Sequence, residues 1–192
     1  MKNTENFNEK LRIVRSSRKT LAMEITKDAE ILVRAPYLMP EAEIQRFIAD
    51  SAEWIEKHLQ KVKAENRAAS LEGKLTMEEI RALADKALVL IPERVAYYAP
   101  KVGVTYGRIT IRNQKSRWGS CSAKGNLNFN CLLMLAPPEV MDYVVVHELC
   151  HRKEMNHSRA FWAEVEKILP DYRIRRQWLK EEGGRLLRRM TG

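Results

Sequence analysis

Alternating apolar positions open the pattern. Leu11 and Ile13, then Leu21, Met23 and Ile25, then Ile31 and Val33 are separated by polar residues. That is the period-two signature of half-buried strands. Three short strands are therefore predicted across residues 11–35, with SSRK and TKDAE as the turns. PYLMP follows as a loop. From Glu41 the period lengthens. Ile44, Phe47, Ile48, Ile55 and Leu59 recur at helical spacing, and Ser51 breaks one helix from the next. The polar run KVKAENRAASLEGK reads as a linker or an exposed helix end, and its Gly73 marks the best internal boundary. The chain is accordingly divided into an N-terminal strand and helix subdomain, 1–73, and a larger unit, 74–192. Thr76-Met77-Glu78-Glu79 has capping-box spacing and starts a helix running toward Tyr98. Pro92 is predicted to kink that helix or end it early.

Alternation then returns. Ile109 and Ile111 alternate with charged or polar neighbours, and Leu127, Phe129 and Cys131 alternate with asparagines around a Lys124-Gly125-Asn126 turn. A small antiparallel sheet is predicted here. Pro137-Pro138 opens the next helix, because proline is tolerated at the first helical position. Val140, Tyr143, Val144, His147 and His151 follow at helical spacing. A further helix is predicted over 159–169, closed by Pro170, and the basic tail is helical up to Gly183. The sequence shows no internal repeat.

Chemistry concentrates in VVVHELCHRKEMNH, residues 144–157, which holds three of the chain's four histidines. His147, Glu148 and His151 match H-E-x-x-H. Residues four apart on a helix are separated by about 6 Å of rise and share a face. Two such imidazoles can each send a nitrogen to one ion. Glu148 points aside, where a general base reaches water without coordinating. Two imidazoles and a carboxylate on an apolar helix each need a partner, and one metal ion satisfies two of those needs. A catalytic zinc takes three protein ligands and keeps one position open. His157, six residues after His151, is the leading third ligand, and Glu164 or Glu166 on the following helix competes with it. In H-E-x-x-H-x-x-G-x-x-H enzymes a glycine turns the chain back. Glu154 stands in that position, so Asn156 is expected to make the left-handed turn.

Charge adds a second theme. The formal net charge is +9, which favours anionic partners such as nucleic acid or nucleotides. The basic segments 12–19 and 173–189 are the candidate contacts, yet the aromatic interleaving of a single-strand platform is thin. No Gly-rich phosphate loop is present. No apolar run approaches the roughly 18 residues of a membrane span, and MKNTENFNEK has no signal-peptide core. The three cysteines form no CxxC pair, so a reducing, cytoplasmic setting is expected. Trp118-Gly119-Ser120-Cys121-Ser122 is expected to line the cleft, with Gly119 permitting close backbone approach. It is not a G-x-S-x-G elbow. His58 is read as a solvated bystander.

The stretch SRWGSCSAKGNLNFNCLLMLAPPEVMDYVVVHELCHRKEMNHSRAFW, with RSSRKTLAMEI and the segment around Trp54, closely resembles the YgjP-like metallopeptidase family, relatives of the WLM and SprT-like zincins. The resemblance implies an α+β fold: a zincin-like metallopeptidase core with a small antiparallel sheet and an active-site helix, preceded by a strand and helix segment. It implies a zinc ion held by His147, His151 and His157, with Glu148 as catalytic base. It also implies a peptide or protein substrate lying along the sheet edge. Some relatives have been labelled nucleoside triphosphate pyrophosphatases, and that alternative stays open beside a nucleic-acid-associated role. Tyr172 and Arg173 are the candidates for oxyanion stabilisation, and Phe161 and Trp162 are expected to pack under the site.

Overall fold

Leu11–Ser16, Ala22–Ile25 and Ile31–Pro36 form strands β1, β2 and β3, as the first alternation requires. The structure, a computed structural model, describes residues 10–190. The opening MKNTENFNE lies outside the described residues. β3 takes the centre of a three-stranded sheet in the order β1-β3-β2. It pairs parallel with β1, Leu11 opposite Ile31, and antiparallel with β2, Ala22 opposite Arg34. Its inward residues Ile31, Val33 and Ala35 are fully buried. Helices α1 (Glu41–Asp50) and α2 (Ala52–Glu72) are separated at Ser51. They bury Ile44, Ile48, Ile55 and Leu59 in the same cluster. The polar run after Val62 continues as helix to Glu72, so it is a helix end and not a linker. Gly73 follows in the left-handed region at φ 78°. His58 is half-buried, stacks on Trp54 at 4.0 Å and bonds its carbonyl. The chain divides into two compact units, residues 1–71 and 72–192.

The second unit opens with α3 (Met77–Val102). Its capping box is complete: Thr76 accepts from the Glu79 amide, and Glu79 accepts from the Thr76 amide. α3 does not end early at Pro92 but runs on to Gly103, which caps it at φ 76°. Pro92 deprives only the Leu88 carbonyl of its intrahelical donor. Leu88 is 57% exposed, so water can serve that oxygen.

β4 (Ile109–Arg112), β5 (Gly119–Cys121) and β6 (Leu127–Asn130) form the second sheet, in the order β4-β6-β5. β5 and β6 are antiparallel, but β4 and β6 run parallel, so the sheet is mixed where an all-antiparallel one was predicted. Alternation reports faces and not partners. β6 occupies the centre because Leu127 and Phe129 have no exposed surface, which leaves β4 and β5 at the edges. Cys131 leaves the strand and opens a 3-10 turn, Cys131–Leu135. The buried Asn130 caps that turn, and its amide also holds the Gln114 and Arg117 carbonyls of the β4–β5 connection.

Helix α4 (Pro138–Cys150) is buried along almost its whole length, including Val140, Val144, Val145, Val146 and Leu149. A helix apolar on every side belongs in the interior. It packs against α3, α5 (Arg159–Ile168), α6 (Tyr172–Arg188) and β5. α6 passes Gly183, where the sequence suggested an end. A methyl group at Gly183 would lie 3.1 Å from the Trp118 indole nitrogen, so the glycine admits a neighbouring ring. The outcome is an α+β fold in which an edge strand and three helices pack around α4.

Candidate metal centre

His147 lies in the last turn of α4, and His151 caps its end with helical dihedrals, φ −63° and ψ −13°. The His151 amide still bonds the His147 carbonyl at 3.3 Å, so the one-turn geometry survives to the second imidazole. The chain then turns back without any left-handed residue at 152–158. Asn156 therefore does not take the role expected of it. Its side-chain oxygen instead accepts from the Ser158 amide at 3.1 Å, and Ser158 caps α5 through the Phe161 amide. These two local bonds return His157 to the helix end.

His147, His151 and His157 each present one nitrogen, and the three nitrogens lie within 4.8 Å of one another. His147 Nε2 and His157 Nε2 are 2.9 Å apart. The three ring centroids are 4.8 to 4.9 Å apart, and the Phe161 ring lies 4.6 to 4.9 Å from each of them. Phe161, fully buried, is thus an apolar floor beneath a triangle of imidazoles. His151 Nδ1 sits 3.0 Å from the Glu154 carbonyl. A carbonyl only accepts, so Nδ1 carries the proton and Nε2 keeps its lone pair for an ion. Burial first, then His151, His157 and Arg176, lowers His147 to about 3. Burial first, then His151 and Arg176, lowers His157. Neutral imidazoles with convergent lone pairs are the donor set a metal ion requires.

The competing third ligands are occupied elsewhere. Glu164 is bound by Lys153 at 2.7 Å and by Lys167, and Glu166 faces Arg173 at 3.6 Å. Among the described residues the three histidines form the one group of three or more ligating side chains.

Glu148 is 5% exposed, and burial pushes its carboxyl up to about 8. It lies directly against edge strand β5. A methyl group built on Gly119 would fall 2.6 Å from Glu148 Oε1, 2.8 Å from Cγ and 2.9 Å from Cδ. The close approach expected of Gly119 is therefore an approach to this carboxylate. Ser120 accepts from Asn128 at 3.2 Å and Cys121 lies on the same strand. Trp162 stacks against His157 at 5.8 Å and against Tyr172 at 5.4 Å. Tyr172 is thus one ring removed from the imidazoles, and Arg173 is exposed beside Glu166. Arg176 was missed by the sequence reading. Its guanidinium lies 4.4 Å from the Trp162 centroid. Its signal was the inward spacing of Tyr172, Arg176 and Gly183 along α6.

Three imidazoles on a helix end and its returning loop, with a buried carboxylate beside a sheet edge, define the metallopeptidase class. The family model for the YgjP-like metallopeptidase domain matches residues 19–83 and 70–182, and the chain belongs to that family. Among solved structures, the chain is similar to the metallopeptidase zymogen abylysin of Pyrococcus abyssi, with 26% identity and a TM-score of 0.43. That likeness covers 47% of this chain and 94% of the other. The metallopeptidase zymogen jannalysin of Methanocaldococcus jannaschii shows 23% identity and a TM-score of 0.41, over 47% of this chain and 91% of its own. No curated protein matches. No helix among the described residues is long and apolar enough to cross a membrane.

Proposed function

We propose that this metallopeptidase is a zinc enzyme that hydrolyses peptide bonds with Glu148 as general base. The observation that carries the reading is the placement of one buried, non-ligating carboxylate between the imidazole triangle and an edge strand. Three imidazole nitrogens with an open side suit zinc, which in catalytic sites takes three protein ligands. When bound, the ion supplies Lewis-acid polarisation and hydroxide at neutral pH. His147, His151 and His157 would hold it, with the Glu154 carbonyl orienting His151. Glu148 takes the proton from water and delivers it to the departing amine, from a buried position beside the imidazoles. β5 is an edge strand, and an extended peptide can add to it by main-chain pairing, which brings its backbone past Glu148.

The nucleotide and nucleic-acid readings rest on the basic segments. Arg15 is paired with Glu41, Arg175 with Asp171, Arg185 with Glu182, and Arg189 with Glu72. These ion pairs tie much of the positive charge into the fold, so the peptide reading is preferred. The three cysteines are unpaired, which supports a reducing, cytoplasmic setting. The test is Glu148→Gln on the zinc-loaded protein, assayed on an unfolded protein and on nucleoside triphosphates. Zinc content should be unchanged and peptide hydrolysis should fall by about 10²–10⁴-fold. Full peptide hydrolysis in that variant sinks the mechanism.

A further inference from the structure

α6 carries a run of arginines. Arg173, Arg175, Arg185 and Arg189 each face a carboxylate. Arg176, half-buried, has no carboxylate partner among the described residues. Its guanidinium lies over the face of Trp162, 4.4 Å from the ring centroid. Trp162 in turn lies 5.8 Å from His157 and 5.9 Å from His147. The guanidinium is therefore fixed over a ring that itself abuts the imidazole triangle.

A cation held by an aromatic face keeps its N–H donors free, because the ring attracts charge without accepting those hydrogens in the plane of the fork. Half-buried, that charge acts through a lower dielectric than water. It is thus a preorganised anion acceptor beside the reacting centre. We propose that Arg176 is a catalytic residue that binds the substrate carbonyl oxygen and takes up the negative charge this oxygen acquires during hydrolysis. The proposal rests on the peptide-hydrolysis reading above. In the step it serves, the oxygen of water bonds to the scissile carbon, the carbonyl π pair moves onto oxygen, and the released proton goes to Glu148. Collapse then re-forms the carbonyl, breaks the C–N bond and sends that proton to the departing nitrogen. Arg176 keeps its own protons throughout and stabilises the oxyanion electrostatically.

The experiment uses the full-length zinc-loaded protein, with Arg176→Ala, Arg176→Lys and Glu148→Gln in parallel. Three quantities are measured: metal content, kcat and KM on an unfolded protein, and the affinity of a phosphinic tripeptide by calorimetry. Arg176→Ala should keep its metal and its melting temperature. It should lose about 10²–10³-fold in kcat with KM changed by no more than roughly threefold. It should also bind the phosphinate at least about tenfold more weakly. Arg176→Lys should recover part of both losses, since a compact charge replaces the fork. Wild-type kcat and phosphinate affinity in Arg176→Ala, with Glu148→Gln inactive, overturn the role of Arg176 alone. A merely structural role would instead lower melting temperature and metal content together, and that outcome also overturns it. Hydrolysis that survives Glu148→Gln, or a wild type that does not bind the phosphinate, removes the peptide-hydrolysis reading and this proposal with it.

Discussion

Replacing Gly119 by alanine adds one methyl group at the tightest point of the site. The new carbon would lie 2.6, 2.8 and 2.9 Å from three atoms of Glu148, distances no carbon contact sustains. Gly119 is in ordinary strand conformation, so the cost comes from crowding and not from backbone strain. The Glu148 carboxyl is 5% exposed and has little room to retreat, and Cγ, close to the backbone, is one of the atoms struck. Overpacking of this kind costs about 1–3 kcal/mol. In a chain of 192 residues that lowers the melting temperature by roughly 2–4 °C per kcal/mol. Under the proposed mechanism, displacing Glu148 should also remove most of its contribution to catalysis, about 10²–10⁴-fold, while metal content stays unchanged. A double-mutant cycle isolates the contact. In a Glu148→Ala background the same methyl enters vacated space, so Gly119→Ala should cost within about 0.5 kcal/mol of nothing, a coupling of about 1–3 kcal/mol. Urea titration of the four proteins measures it. Equal cost in both backgrounds would refute the contact, and full hydrolysis by Gly119→Ala would refute the placement of the base.

His157→Ala should weaken metal binding by at least about a hundredfold, more than the loss of an outer-sphere partner usually costs, as measured by competition with a chromophoric chelator. Unchanged affinity would return Glu164 or Glu166 to consideration. Pro92→Ala should raise stability by about 1–3 kcal/mol in urea with an unchanged m-value, because it restores a donor to the Leu88 carbonyl inside α3. A loss of stability there would mean that the proline ring makes packing the helix needs.

The strands of the first unit, the break at Ser51, the capping box at Thr76 and the proline start of α4 were readable because each rests on local spacing or local chemistry. The His147–His151 pair was readable for the same reason, since helical periodicity alone sets it on one face. What escaped was non-local. The parallel pairing of β4 with β6 is a choice of partner and direction, and alternation reports neither. The persistence of α3 past Pro92 is set by the packing of the whole helix, which buries Ala87, Ile91 and Val95 around the proline. The persistence of α6 past Gly183 depends on the Trp118 ring from a distant segment, which no local rule for glycine anticipates. Arg176 escaped among many arginines because only the fold reveals which of them lack a carboxylate. Tyr172 and Arg173 were nominated for proximity in sequence; Tyr172 stacks on Trp162, and Arg173 faces Glu166.

The three imidazoles do not have equal footing. His147 and His151 belong to a helix enclosed on every side, whereas His157 is exposed on a short return secured by the Asn156 and Ser158 bonds. Two donors are consequently a fixed jaw and the third a hinged one. Under the proposed ligand set, departure of the ion should start with that hinge, since opening it disturbs two surface bonds and opening the other side disturbs the interior. Exchange kinetics of the bound ion should then follow the strength of those bonds, leaving the fixed jaw assembled and ready to recapture.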